Sequence, residues 1–358
     1  MKILIISDLH LNTPKGVLKR FGTEDPIAAI ESLRRVVAAE KPDACIIAGD
    51  IFNGTKQDAV ELHLLRILKD ALNTIDAIYV IRGNHDRAEH SIPSDMFDWI
   101  ELSENPVYLD SEKRITISGL HFSGTEKHRE YLSCKRSDIM VAHFPMSPFN
   151  SFNPENISIE AAPADCVVVV GDTHKPEVIL KDDKCVISPG CLFPANKAEL
   201  LSGVAGSSYM LTISKDNEEL EVDLEAIRLE TRFGADLTGL SSIDEILDEL
   251  KLIDARRPFP ANLKPVAFIP AEYVSNTALN SYMSNIELIP VAAMPDSVSG
   301  EAVDFSGLEG LGVAERIGKI LTGIFEGDPD ADAAKQLAES LVITDSPNQT
   351  IETFVKSV

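Results

Sequence analysis

The chain begins with the stretch Lys2-Ile3-Leu4-Ile5-Ile6-Ser7-Asp8-Leu9-His10, in which an apolar run ends in an acid and a histidine. The same succession of residue types recurs four times farther along the chain. The later copies are Cys45-Ile46-Ile47-Ala48 with Gly49-Asp50, Ile78-Tyr79-Val80-Ile81 with Gly83-Asn84-His85-Asp86, Ile139-Met140-Val141-Ala142 with His143, and Val167-Val168-Val169-Val170 with Gly171-Asp172-Thr173-His174. Short β-branched runs bounded by glycine and polar residues are typical of buried strands. The sequence therefore predicts five strands, each ending in side chains that are able to hold a metal ion.

The polar residues at these five strand ends are expected to meet at one place. In open α/β sheets, functional loops gather beyond the carboxyl ends of the strands. The side chains that would converge there are Asp8, His10, Asp50, Asn84, His85, His143, Asp172 and His174. This set exceeds the needs of one ion and suits two neighbouring cations that share a carboxylate, as in phosphoryl displacement. One such motif alone is explained as well by a turn or a helix cap, but five in series favour a metal centre.

The size and composition of the chain limit its class. A length of 358 residues predicts two or three domains. No apolar stretch approaches the ~20 residues of a membrane span. Met1 leads directly into the first strand, so we expect neither a membrane segment nor a signal peptide. The five cysteines lack CxxC spacing, which predicts a reducing, cytoplasmic setting.

The net charge of -24 argues against a basic surface that extends over the whole chain. Nucleic-acid-binding proteins usually carry a basic footprint, and acidity disfavours non-specific binding to DNA. A nucleic-acid site in this chain must therefore be local, assisted by metal ions, or supplied partly by a partner.

Three segments are predicted from the order of the elements. Residues 1–230 alternate strands and helices, as in a layered α/β domain, and end in a hairpin of 209–213 with 220–224. A small α+β domain is predicted for residues 235–297, and its helix starts with a capping box of Ser242 and Glu245. Residues 301–358 predict two helices and contain eleven acidic and four basic residues. These two helices either pack on the chain's own body or form an amphipathic element that binds a partner.

Local signals predict further element boundaries. Asp25 before Pro26 indicates an N-cap followed by proline at the first helical position. Helices are also expected over 58–72, over 94–102 with Trp99 in the core, and over 275–283. Strands of a second sheet are expected at 107–109 and 115–117.

The five motifs resemble the calcineurin-like metallophosphoesterase superfamily, whose pattern is D-x-H, G-D, G-N-H-D, H and G-H-x-H. The resemblance covers roughly residues 1–215 and implies a four-layer α/β/β/α core. Within the superfamily, the chain is most similar to the SbcD-type DNA repair nucleases of bacteria and phages. The features that carry this finer resemblance are Gly49-Asp50-Ile51-Phe52, the turn Ser188-Pro189-Gly190, and the appended small domain and helical tail.

The resemblance also implies a role for each motif residue. One metal ion would be held by Asp8, His10, Asp50 and His174, and the second by Asp50, Asn84, His143 and Asp172, so that Asp50 bridges them. His85 would lie beside the scissile phosphate, and Asp86 would orient His85. One position departs from the pattern, because Asp172 stands where the family usually has histidine. Hard oxygen ligands favour manganese or magnesium over zinc, so we expect two Mn²⁺ ions, with Mg²⁺ as the alternative.

The function implied by the resemblance is that of a metal-dependent DNA nuclease, an exonuclease with additional endonuclease activity. In the SbcD branch, the small domain caps the active site and recognises DNA. The tail helices bind the coiled coil of an SbcC-type ATPase in a DNA repair and recombination complex, and the nuclease subunit forms a homodimer. Two alternatives remain at this stage: a phosphatase or small-molecule phosphodiesterase of the same fold, and a non-catalytic scaffold that has lost one metal ion.

Overall fold

Two six-stranded sheets form the centre of the chain. The computed structural model describes residues 1–53, 58–86, 98–110, 112, 114–148, 157–181, 183–216, 219–256 and 263–291. The predicted tail, 301–358, and the end of the predicted small domain, 292–297, lie outside these residues. The strands are, in chain order, β1 (Lys2–Ile6), β2 (Ala44–Ile47), β3 (Ala77–Val80), β4 (Ile100–Glu101), β5 (Val107–Tyr108), β6 (Thr116–Leu120), β7 (Ile139–His143), β8 (Met146–Ser147), β9 (Ile157–Ser158), β10 (Cys166–Gly171), β11 (Glu177–Lys181), β12 (Lys184–Ser188), β13 (Ser207–Asp216), β14 (Glu219–Arg228), β15 (Gly234–Asp236), β16 (Val266–Pro270) and β17 (Glu287–Val291). The α-helices are α1 (Glu24–Glu40), α2 (Ala59–Ala71), α3 (Thr125–Leu132), α4 (Lys197–Ser202) and α5 (Ile243–Asp254).

All five motif strands lie inside these two sheets. The first sheet has the spatial order β14-β13-β1-β2-β3-β4, and the second has the order β11-β12-β10-β7-β6-β5. Strands β1 to β4 are parallel to one another, as are β6, β7, β10 and β12. Antiparallel pairing occurs at the other edges, through β5, through β11, and through the predicted hairpin, which is formed by β13 and β14. The motif strands therefore run in parallel within each sheet, which brings their carboxyl ends to a common edge.

The apolar runs are continuous because both faces of each sheet are buried. Along β1, Ile3 and Ile5 belong to the apolar layer between the two sheets, whereas Leu4 and Ile6 pack against α1 and α2. Strand β10 does the same on the other side, where its alternate valines face the intervening layer and the helix α3. For this reason, the strands of a parallel sheet that is covered on both faces have uninterrupted hydrophobic sequences. The order of layers is helix, sheet, sheet, helix, which confirms the predicted four-layer α/β/β/α core.

A third, smaller sheet follows the core in the chain. Strands β15, β16 and β17 pair in parallel in that order. One face packs against α5, which begins with the predicted capping box of Ser242 and Glu245. The other face presents Val266, Phe268 and Ile289 to Leu18 and Leu200 of the core. The small sheet is therefore joined to the core by an apolar contact, in addition to the connecting chain.

Three local predictions are corrected by the structure. Helix α1 begins at Glu24 with Thr23 at the N-cap, and Asp25 does not cap it but is buried against Arg232. The predicted helix over 94–102 is contradicted at Ile100–Glu101, which form the edge strand β4, while 94–97 lie outside the described residues. The predicted helix over 275–283 is instead a 3₁₀ segment at Thr277–Ser281. Within the part of the chain that the structure describes, no helix is both long and apolar enough to cross a bilayer.

Candidate metal centre

The ends of the five motif strands meet at one edge of the paired sheets. Registers match within each sheet: Ile6 lies opposite Ile47 and Ile47 opposite Val80 in the first, and Gly171 lies opposite His143 in the second. Two hydrogen bonds then tie the sheets together at this edge. His143 Nδ1 lies 2.8 Å from the carbonyl oxygen of Ala48, and the Asp172 amide donates to Asp8 Oδ1 at 3.2 Å. The convergence expected from the sequence is therefore present.

The backbone at these strand ends adopts an unusual conformation. Asp8, His10, Asp50 and Asp172 have positive φ angles of 50°, 41°, 49° and 79°. Such left-handed geometry is sparsely populated for residues other than glycine, although aspartate and histidine tolerate it better than most. Each such residue costs about 1–3 kcal/mol, and residues of this kind cluster at functional sites. The sharp turns aim the side chains off the strand ends and into a shared space.

The first group of side chains surrounds the Nε2 atom of His174. This atom lies 3.0 Å from His10 Nε2 and 3.7 Å from Asp8 Oδ1. On the other side of the group, His10 Nε2 lies 3.6 Å from Asp50 Oδ2. Asp8 Oδ2 is buried and has no hydrogen-bond partner, which is rare for a buried polar atom. Nitrogen and carboxylate atoms directed at one point, with an unpartnered oxygen among them, fit a divalent cation.

The second group surrounds His143. Its Nε2 atom lies 3.0 Å from Asn84 Oδ1, 3.5 Å from Asp50 Oδ1 and 3.8 Å from Asp172 Oδ1. Asp172 thus lies beside His143, although it departs from the usual family residue. The two oxygens of Asp50 face different groups, Oδ2 towards His10 and Oδ1 towards His143. A carboxylate shared in this way is the arrangement expected of two adjacent cations.

Close packing at a glycine lets the two groups share this space. Gly49 precedes the bridging carboxylate and has a φ of 96°. A Cβ atom there would overlap the Nδ1 atom of His143. Only glycine combines this backbone angle with this approach.

Burial and mutual charge shift the acidity of the site strongly. Burial raises the pKa of Asp8 to about 6, against the opposing charges of His143 and His174. Burial lowers the pKa of His10 to about 4. For Asp50, burial alone would raise the pKa, but the hydrogen bond and charge of His143 outweigh it and bring the pKa to about 2.

The two remaining ligand histidines are shifted the other way. Burial alone would lower the pKa of His143, but its contact with Asp50 raises that pKa to about 10. Burial alone would also lower the pKa of His174, but the hydrogen bond to Glu199 raises that pKa to about 9. In the protein without metal, these two imidazolium charges balance the clustered carboxylates. Bound cations would take over that role, since a metal-ligating histidine must be neutral.

His85 and Asp86 lie next to the bridging carboxylate. The backbone N–H of His85 donates to Asp50 Oδ1 at 2.9 Å, and its ring packs edge-on against the ring of His10 at 5.1 Å. Asp86 does not bond the His85 ring, which corrects the predicted role. Its carboxylate accepts three backbone N–H groups, from Ile51, Phe52 and Gly83. Asp86 therefore joins the second motif loop to the third.

One residue of the site was missed by the sequence analysis. Glu199, in the short helix α4, hydrogen-bonds His174 Nδ1 at 2.8 Å. It belongs to none of the five motifs and lies 25 residues from its partner along the chain. The spacing of Asn196 and Glu199 indicates a helix N-terminus, but that signal does not say which side chain the glutamate meets.

Comparisons with known proteins agree with this geometry. The family model for the calcineurin-like phosphoesterases matches residues 1–179. No curated protein sequence matches the chain significantly. Among solved structures, the chain is similar to Yfce, a phosphoesterase from E. coli, at 17% identity over 64% of this chain and 100% of that one, with a TM-score of 0.34.

Two other solved structures illustrate the range of similar proteins. A putative 5'-nucleotidase from Staphylococcus aureus is 14% identical over 71% of this chain and 58% of that one, with a TM-score of 0.43. Vacuolar Protein Sorting 29 from Cryptosporidium parvum is 15% identical over 63% and 97%, with a TM-score of 0.30. These similarities are too distant to indicate an activity. The family model covers half of the chain, including all five motifs, and shows that the chain belongs to the calcineurin-like phosphoesterases, hydrolases that act on phosphoesters with divalent metal ions.

Proposed function

We propose that the chain is a DNA nuclease that hydrolyses phosphodiester bonds with two metal ions. The observation that carries the two-metal part is Asp50, whose oxygens face the His10 group and the His143 group separately. DNA as the substrate is supported by the resemblance to the SbcD branch and by the small domain appended to the core. We further propose exonuclease activity with additional endonuclease activity, a homodimer in the cytoplasm, and an SbcC-type ATPase as partner.

The chain's own residues would perform three tasks in this reaction. The ligand residues would hold two cations, which when bound would supply an activated water and neutralise charge on the phosphoryl oxygens. The Asp50 carboxylate holds the two ligand groups at a fixed separation. His85, half-buried at the edge of the first group, is placed to protonate the departing sugar oxygen as a general acid. Asp86 fixes the loop that carries His85 through its three backbone hydrogen bonds.

The donor set supports manganese as the metal. Asp172 adds a carboxylate oxygen where the usual family residue would supply nitrogen, and Asn84 adds an amide oxygen. Oxygen donors favour Mn²⁺ or Mg²⁺, whereas imidazole-rich sites also suit Zn²⁺. We propose that Mn²⁺ supports the highest activity and that Mg²⁺ is the alternative.

The proposal is tested by degradation of linear duplex DNA in the presence of Mn²⁺, Mg²⁺ or Zn²⁺. We expect the wild type to be most active with Mn²⁺. Asp50→Asn should bind fewer ions and lose activity, and His85→Ala should keep its ions but lose about 10²–10⁴-fold in rate, as for removal of a general acid. His63→Ala is the matched control, because His63 is exposed on α2. Intact DNA under every metal condition, with and without the ATPase, would contradict the nuclease assignment.

A phosphatase or small-molecule phosphodiesterase is the second candidate. The net charge of -24 favours it, because small phosphate esters need no basic track for their recognition. Turnover of cyclic nucleotides or phosphoproteins with no effect on DNA would select this function. One ion per chain and no hydrolysis of any ester would instead select the non-catalytic scaffold.

A further inference from the structure

A carboxylate from outside the family motifs lies behind one of the metal-site histidines. The His174 ring faces two ways: its Nε2 atom lies 3.0 Å from His10 Nε2, and its Nδ1 atom lies 2.8 Å from Glu199 Oε1. The ring therefore stands between the candidate ligands and a hydrogen-bond acceptor. Glu199 is also beyond residue 179, where the match to the family model ends.

Glu199 is itself held in place by the start of α4. The backbone N–H of Ala195 donates to Oε2 at 2.7 Å, and the Asn196 side chain donates to Oε1 at 2.6 Å. The amide of Glu199 donates back to Asn196 Oδ1 at 3.1 Å. Its neighbour Leu200 anchors the helix in an apolar cluster with Leu18 and residues of the small sheet. Both carboxylate oxygens are thus occupied, and the side chain has little freedom to move.

We propose that Glu199 is a positioning residue that keeps the proton of His174 on Nδ1 and leaves Nε2 free to bind the first metal ion. The inference rests on the proposed two-metal function. A ligating histidine commonly donates its other ring N–H to a carboxylate, which fixes the tautomer and ring orientation and increases the basicity of the ligand. The contact on Nδ1 and the group of donors around Nε2 match that arrangement.

Helix capping alone does not account for this contact. Glu245 occupies the same third helical position in α5, and its Oε2 atom alone accepts the backbone N–H groups of Ser241 and Ser242. In α4, Oε2 likewise accepts a backbone N–H, from Ala195, while Oε1 contacts both the Asn196 side chain and His174 Nδ1. Glu245 is therefore a matched control, because it has the same helical position and capping role without a histidine.

Direct ligation of a metal ion by Glu199 is the alternative that the test must distinguish from a positioning role. His174, Cys191 and Glu199 place one potential ligand atom each within 4.8 Å of one another. An ion held by these three would make Glu199 a ligand rather than a positioning residue. Cys191→Ser distinguishes the two, because the thiol takes part only in direct ligation.

The experiment measures Mn²⁺ binding to the full chain by equilibrium dialysis and electron paramagnetic resonance. The variants are Glu199→Gln, Glu245→Gln and Cys191→Ser. In Glu199→Gln, the amide oxygen cannot serve both Ala195 and His174, and an amide N–H facing Nδ1 would move the ring proton to Nε2. We expect the affinity for one of the two ions to fall about 10–100-fold. Glu245→Gln and Cys191→Ser should bind both ions like the wild type.

Two further measurements complete the test, and the second, made on the wild type, keeps the inference testable even if Glu199→Gln is unstable. In a His174→Ala background, Glu199→Gln should cause no additional loss of affinity, because it acts through that ring. Nitrogen NMR of the Mg²⁺-loaded wild type should show the Nδ1–H tautomer at His174. Wild-type affinity in Glu199→Gln, an equal loss in Cys191→Ser, or the Nε2–H tautomer would overturn the proposal. A wild type that binds no divalent ion would overturn the two-metal function itself, and this role with it.

Discussion

Among the glycines described at the metal site, Gly83 leaves the least room for a Cβ atom. A Cβ atom there would overlap Asp50 Oδ1 and come within 2.5 Å of the Asp50 amide nitrogen. We expect Gly83→Ala to displace the bridging carboxylate, to lower the free energy of unfolding by about 1–3 kcal/mol, and to reduce bound metal. Denaturant unfolding and metal content per chain measure both effects.

The control for this change is another glycine with open space around it. A Cβ atom at Gly124 meets nothing within 4 Å, and its φ of -64° suits any residue. Gly124→Ala should therefore keep its metal content. Full metal occupancy in Gly83→Ala would show that Asp50 does not need the geometry described above.

The ligand histidines make metal binding depend on pH. His143 and His174, with pKa values of about 10 and about 9, carry protons at pH 7.5 in the metal-free protein. Both must lose a proton to bind, so we expect release of about two protons per chain and an affinity that increases as the pH rises towards 9. Calorimetry in buffers of different ionisation enthalpy counts the protons.

The same raised pKa values make the metal-free protein less stable as the pH rises, whereas its affinity for metal increases. The ordinary histidine pKa is 6.5, and both folded values are raised above it. Their stabilising effect is fully present below about 6.5 and is lost as the pH rises through 9 to 10. Metal binding without proton release at pH 7.5 would contradict the arrangement in which Asp50 and Glu199 hold the two rings charged.

At the scale of elements, a buried ion pair connects α1 to the segment between β14 and β15. Arg232 Nε lies 2.9 Å from Asp25 Oδ1, and the guanidinium stacks over the Phe21 ring at 3.8 Å. Removing one partner of a buried pair leaves the other charge unpaired, which costs about 3–5 kcal/mol. We expect Arg232→Ala to lose stability of that order in denaturant unfolding.

An exposed ion pair between neighbouring regions provides the comparison. Arg20 lies 3.1 Å from Glu287 of the small sheet, and 49% of its side chain is exposed to solvent. Surface pairs contribute about 0–1 kcal/mol, so Arg20→Ala should have little effect. Equal losses in the two variants would mean that burial does not set the strength of this connection.

The sequence predicted what is encoded locally and missed what depends on distant partners. Each motif strand and its ligands are adjacent in the chain, so Asp8, Asp50 and His143 were found from apolar runs and turn residues. Asp25 carries a helix-cap signal, but its partner Arg232 is 207 positions away, and burial of that pair overrides the cap. Glu199 is of the same kind, because nothing near it in the chain indicates His174.

At the scale of the whole molecule, the candidate metal ligands and the predicted partner-binding tail lie in different parts of the sequence. Residues Met1–Val291 cluster as one unit by their own contacts, and they include every candidate metal ligand. We expect a chain ending at Val291 to keep two ions and to hydrolyse a small phosphodiester at a rate close to that of the full chain, since all the candidate ligands named above lie within 1–291. It should no longer co-purify with an SbcC-type ATPase, if 301–358 bind the coiled coil as proposed. Asp50→Asn in the full chain should show the reverse: normal co-purification without hydrolysis. Retention of the ATPase by the shortened chain would place the partner-binding surface within 1–291.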